Sequence, residues 1–298
     1  CALAGVNAFS PTLALASDHV RHDASLPSAT APVVIATERM AWSLGILIGP
    51  AIAAALLALT ASFPSLYLTG ALCIASGTLL ALHLEDAPET TGAPVHQGPA
   101  RRALPSLGLA GRRRREDVAL GLLFTALVLL FSAAWARNIF VPLQVTEAFG
   151  LPATAVGPAF TATAVAATLL MPTLGQITPR VGTTAVLLLG ALLGIGYCTV
   201  EALLQSYPLL LLNQTLLGAG IAIWTVGGLL MAQEIAPDRA GTASATYVGA
   251  AQLAPVVSAV LLGGVAEVAG IRGAFLFGAG LGLLAATLIG LLARLEPR

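Results

Sequence analysis

Eight stretches of this chain, near 40–61, 65–84, 117–141, 153–177, 183–204, 208–232, 241–266 and 274–293, are apolar over a length that crosses a bilayer, and a partial ninth occupies 1–17. A crossing needs about 20 predominantly apolar residues. Inside hydrocarbon every backbone N–H and C=O must be bonded within the protein, and runs of this length achieve that as helices. The runs therefore predict an all-α, polytopic membrane protein. Composition agrees: 57% of the 298 residues are hydrophobic and 9% charged, whereas a soluble domain carries about a quarter charged residues. The partial run begins at Cys1 without an initiator Met or a charged flank. It reads as the tail of a helix whose beginning is missing, not as a signal peptide.

Turn residues punctuate the runs, as at Phe63-Pro64-Ser65, Gly150-Leu151-Pro152, Ser206-Tyr207-Pro208 and Ala236-Pro237-Asp238. One connection is long. Residues 85–116 are polar, carry Pro and Gly, and hold Arg101, Arg102, Arg112, Arg113, Arg114 and Arg115, so they read as a flexible linker. It divides a first helical group at 1–84 from a second at 117–298. With the linker on the cytoplasmic side, Arg21, Arg39, Arg180, Arg239, Arg294 and Arg298 fall on that side too, and twelve of the fourteen arginines obey the positive-inside rule. Arg272 falls outside and Arg137 within a span.

Charge and residue type exclude several functions. The formal net charge is zero, which argues for no nucleic-acid partner. All fourteen basic residues are arginine; without lysine there is neither a phosphate-loop nucleotide site nor Schiff-base chemistry. Cys1, Cys73 and Cys198 are far apart and read as packing residues. The run Asp18-His19-Val20-Arg21-His22-Asp23 places two imidazoles on one helical face, but an arginine sits in its middle and no third anchor is near, so no metal or other cofactor is expected. No constellation for membrane-embedded catalysis is present, and the chain reads as no enzyme. Gly45 and Gly49, Gly190 and Gly194, and Gly278 and Gly282 are each four apart, a spacing that lets neighbouring helices approach closely.

Two helices and a remnant before the linker, with six after it, match a six-plus-six transporter lacking its first three helices. Gly45-Ile46-Leu47-Ile48-Gly49-Pro50 resembles the glycine-proline signature in the fifth helix of major facilitator exporters. Gly175-Gln176-Ile177-Thr178-Pro179-Arg180-Val181-Gly182 resembles their short loop between helices eight and nine. Arg39, Ser43-Leu44 and Ile48-Gly49-Pro50, with Pro237-Asp238-Arg239-Ala240-Gly241, Pro142-Leu143, Glu147 and Gly150-Leu151-Pro152, are similar to the sugar efflux transporter family. The resemblance implies a major facilitator fold without its first three helices, with 1–84 as helices four to six and 117–298 as helices seven to twelve. It further implies a multi-pass protein of the bacterial cytoplasmic membrane, linker and C-terminus cytoplasmic, that exports small sugars or glycosides by alternating access driven by protons. Partners are then a small-molecule substrate, protons and the lipid bilayer. Three places depart from the pattern: Pro179 stands where the loop carries an acid, Thr183-Thr184 where basic residues follow its second Gly, and Val141 where an acid can precede the seventh-helix proline.

Polar side chains within spans are the candidate site, because each is unfavourable by about 2–3 kcal/mol or more unless it meets a cavity or partner. Arg137 either snorkels to the outer boundary or lines the cavity with Asn138 and offers its planar fork to a hydroxyl or carboxylate. Trp135 and Trp224 can stack on a sugar face or simply pack. Asn7, Asn213, Gln214 and Gln252 are neutral amides suited to polyols, or hydrogen bonds between helices. Tyr247 sits one turn from Ser244, and Glu201, near the outer end of the ninth helix, reads as an interfacial residue rather than a proton carrier. The gating set is Glu38 and Arg39 at the mouth of the fifth helix, Gly49 and Pro50 within it, Arg180, and Glu234 and Arg239 around the turn after the tenth; ion pairing across that mouth and solvated loop charge are both open. Drug export by the same superfamily, and a permease or sensor subunit without autonomous transport, are the competing readings.

Overall fold

The computed structural model of the chain describes residues 107–295 and, ahead of them, 68, 70–72 and 75. The expectations for 1–17 and 40–61, for the histidine pair at 19 and 22, and for Asn7, Glu38, Arg39, Gly49 and Pro50 lie outside the described residues.

The second helical group is all helix. Helix α1 (Leu107–Leu143) starts inside the stretch read as linker, so Arg113, Arg114 and Arg115 project from its first turns as exposed side chains. Pro142 near its end lacks an N–H and loosens the ladder. The chain widens there into a π-helical turn, Gln144–Ala148, and Thr146 Oγ1 donates to the Pro142 carbonyl at 2.9 Å. Gly150 and extended Pro152 then reverse direction, and a short 3₁₀ turn, Ala153–Ala155, leads into α2 (Val156–Val181).

Helices α2 and α3 (Thr183–Leu203) are joined by the single residue Gly182 at φ 93°. Only glycine takes that conformation without a Cβ clash, and its N–H donates to the Thr178 carbonyl at 2.9 Å, closing α2. Helix α4 (Tyr207–Ile235) opens with Pro208, whose missing N–H has no partner to lose in a first turn. Helix α5 (Ala240–Leu295) has 56 residues, about 84 Å if straight, almost three times the thickness of the hydrocarbon core. It is broken at Gly270 (φ 70°, ψ 178°) into limbs 240–269 and 271–295. Five described helices are long and apolar enough to span a membrane, and the two limbs of α5 together account for the two runs expected there.

Helix α1 packs chiefly on α5, α2 on α4, and α3 on both α4 and α5. This makes α4 the most enclosed helix and α2 the least. Small residues allow the closeness. Trp224 of α4 lies flat against α3, where a Cβ added to Gly194 would come within 2.7 Å of the indole and one added to Gly190 within 2.5 Å of Ile223. Aromatic edges meet faces around it: Phe131 against Trp224 at 6.2 Å and against Tyr247 at 5.9 Å, and Phe275 against Phe140 at 5.9 Å and Tyr197 at 6.2 Å. Leu169, Leu192, Leu212, Val260 and Leu283 point outward, each at least half exposed. Such an apolar exterior is untenable in water and is the lipid-facing surface of a multi-pass membrane protein.

Candidate functional site

Polar side chains gather at the two ends of the bundle. At the end away from the linker, the last turns of α1 and α3 meet the first turns of α2 and α4, and four helices contribute to one cluster. Asn213 Nδ2 donates to Glu201 Oε2 at 2.6 Å and to the Tyr197 carbonyl at 3.0 Å. Gln214 follows on the same helix; its Oε1 accepts from Thr163 Oγ1 of α2 at 3.0 Å, and its Nε2 reaches the Tyr197 hydroxyl at 3.4 Å. Gln144 Nε2, in the π turn, donates to the Glu201 carbonyl at 3.4 Å. Glu201, Asn213, Gln214 and Tyr197 are all buried.

The cluster corrects one expectation. Glu201 was expected at the interface and is instead fully enclosed, because Val200 and Leu203 carry the exposed side of this turn while Glu201 lies on the stripe of α3 turned to α4. Helical periodicity alone leaves that choice open in a helix as uniformly apolar as α3.

Arg137 reaches the same cluster from α1. Its guanidinium carbon sits 4.4 Å from the centroid of Phe160 of α2, a cation–π contact, and Nη2 donates to Asn138 Oδ1 at 3.3 Å. Nε and Nη1 are buried with no hydrogen-bond partner. Buried donors are almost always satisfied in a resting protein, and an orphan of this strength marks a place for a ligand or a second arrangement. Glu201 and Tyr197 lie within electrostatic reach of the guanidinium, though neither bonds to it.

The other sequence candidates are placed elsewhere. Trp224 is wholly enclosed between α3 and Phe131, and its Nε1 is unpartnered. Tyr247 is buried on Phe131 in mid-bundle, and Gln252, one turn further along α5, is exposed. Trp135 is exposed on α1. Neither Trp224 nor Gln252 touches the far-end cluster.

At the linker end, exposed Glu234 of α4 accepts from Thr183 Oγ1 of α3 at 2.6 Å. Arg239, in the turn before α5, pairs with Asp117 at 2.8 Å and Glu116 at 3.3 Å on α1. The hydrogen bond to Asp117 foremost, with both carboxylates' charge, holds its guanidinium still more firmly in the charged form. Arg180 is exposed on the last turn of α2. A cleft of about 580 Å³, lined by Thr178 of α2, Thr183 and Leu188 of α3, and Leu230 and Glu234 of α4, opens at this end. Among the described residues no cluster of His, Cys, Asp and Glu is placed to hold a metal ion.

The sequence profile of the Major Facilitator Superfamily matches residues 123–298. Sugar efflux transporter A of Dickeya chrysanthemi is 29% identical over 267 residues, covering 89% of this chain and 63% of the relative. Sugar efflux transporter B of Salmonella typhimurium LT2 is 28% identical over 283 residues, covering 92% of this chain and 65% of the relative. The chain thus spans just under two thirds of the length of these curated relatives.

Proposed function

This chain belongs to the Major Facilitator Superfamily, and from that premise we propose that the protein exports small sugars or glycosides across a bacterial cytoplasmic membrane, with its linker end cytoplasmic. The observation that carries the reading is the buried guanidinium of Arg137, whose Nε and Nη1 have no hydrogen-bond partner, backed by Phe160 and bonded through Nη2 to the Asn138 amide. A sugar offers hydroxyl oxygens to accept from Nε and Nη1 and an apolar ring face to lie against an aromatic side chain. Asn138 extends the donor row along α1. Likeness to two sugar efflux transporters supports the substrate class.

Transport proceeds by alternating access, one helical half rocking against the other around the substrate and coupled to proton movement. Substrate shifts that equilibrium only through contacts that differ between the two states. Arg137 is suited to this, since its free donors have a partner only when something is bound. At the linker end, Arg239 on Asp117 and Glu116, Thr183 on Glu234, and exposed Arg180 form the part of the inward mouth contributed by this half. They are exchangeable charged contacts of the kind that re-pair when domains rotate.

The test uses the complete product of the gene in inverted membrane vesicles, with labelled lactose, labelled glucose analogues and a cationic dye offered with and without a proton gradient. Gradient-driven sugar accumulation, lost in Arg137→Ala, is the expected result. Accumulation of dye without sugar would replace this reading with drug export.

A further inference from the structure

The second limb of α5 runs from Gly270 back to the linker end, antiparallel to α1. Phe275 meets Phe140 near its start, and a Cβ added to Gly278 would come within 3.8 Å of Ala133. Ala285, Ile289 and Leu292 are buried and form the face turned to the bundle. Thr287, Gly290, Leu291 and Arg294 share the opposite face, by their spacing of three and four residues, and line a groove of about 360 Å³. Thr287, Leu291 and Arg294 are exposed, so the groove opens on the surface that lipid covers.

Gly290 makes the notch in this face. A Cβ there would meet nothing within 4 Å among the described residues, whereas one at Gly194, Gly278 or Gly282 would press on Trp224, Cys198 or Ile195. Glycine is unfavourable inside a helix, and at 290 neither positive φ nor a closely packed helix calls for it. The Thr287 hydroxyl donates to the Leu284 carbonyl at 2.6 Å, so its donor is spent within the helix and the inner part of the groove is suited to hydrocarbon. Arg294 stands at the other end, seven residues from Thr287, or about 10 Å along the axis. Among the described residues ion pairs reach Arg239 and none reaches Arg294. Arg113, Arg114 and Arg115 are exposed at the same end of α1, while the acids that follow them, Glu116 and Asp117, are engaged by Arg239. The membrane boundary at this end therefore carries positive charge.

We propose that this groove binds one anionic phospholipid of the leaflet at the linker end, with an acyl chain in the notch over Gly290 and the phosphate accepting from the Arg294 guanidinium. Charge and depth both select that occupant. A guanidinium donates to two phosphate oxygens through its planar fork, and an apolar channel leads from it toward the membrane interior, the order in which a phospholipid presents headgroup and chain. A zwitterionic headgroup brings its own cation to the arginine, whereas a net-negative one gains from the whole basic boundary. The site lies at the opposite end of the bundle from Arg137 and stands whether or not the substrate is a sugar.

The complete product of the gene, purified in detergent, is titrated with phosphatidylglycerol and separately with phosphatidylcholine of the same acyl chains, and bound lipid is counted by native mass spectrometry. One phosphatidylglycerol is expected to be held about fivefold more tightly than phosphatidylcholine. Arg294→Gln loses that preference. So does Gly290→Leu, which fills the notch, keeps every charge and meets no neighbouring side chain among the described residues. Arg272→Gln, exposed at the far end of the same limb, retains it. Equal binding of the two lipids by the unaltered protein overturns the proposal, and so does a preference undiminished in Gly290→Leu, because charge without the groove then suffices. A preference that survives Arg294→Gln but is lost when Arg113, Arg114 and Arg115 are all changed to Gln also overturns it, by moving the lipid to α1.

Discussion

Asn213 shows what one amide does in an apolar bundle. It holds a buried carboxyl on one side and a helix carbonyl on the other, so removing it leaves two enclosed oxygens without a donor. Asn213→Leu is expected to destabilise the bundle by about 1–2 kcal/mol, read as a lower unfolding temperature in detergent; an unchanged temperature would mean the cluster rearranges freely. At the opposite extreme of polarity, Gly194→Val pushes a side chain into the Trp224 indole, itself held by Gly190 and Phe131. A loss of about 1–3 kcal/mol is expected, with part of it recovered by adding Trp224→Phe, and unfolding of the double variant checks this. The sequence marks both positions. It shows glycines four apart and an amide in a span, but whether Trp224 faces sugar or Gly194 depends on which helix lies opposite.

Helix ends set the reach of each element. Gly182 and Gly270 each adopt positive φ where the chain must turn within one residue. Gly270→Val places a β-branched side chain at φ 70° and ψ 178°, a conformation essentially confined to glycine, which is expected to cost about 1–3 kcal/mol; reduced yield of folded protein by size-exclusion chromatography is the check. Apolar run length and the turn residues between runs made the spans after the linker legible. The start of α1 was less so, since Arg112–Arg115 read as solvated linker yet continue a helix. Charged residues are good helix formers, and nothing in a hydropathy pattern separates a charged helix from a charged loop.

For the whole molecule, the break at Gly270 makes α5 two crossings. In a background lacking its three cysteines, Val268→Cys, 90% exposed at the far turn, and Asp238→Cys, exposed at the linker end, should react with a membrane-impermeant thiol reagent from opposite sides of sealed vesicles. Labelling of both from one side would sink the two-limb arrangement. Hydrophobicity and charge are properties of each residue and act along the chain, so the sequence alone determined an all-helical membrane protein, its spans after the linker and its family resemblance. Which polar groups meet is a property of pairs brought from distant segments. Arg137 beside Phe160 and near Glu201, Asn213 on that same carboxyl, and Arg239 on Asp117 rather than on a neighbour in sequence were decided only when packing set which faces of four helices turn inward.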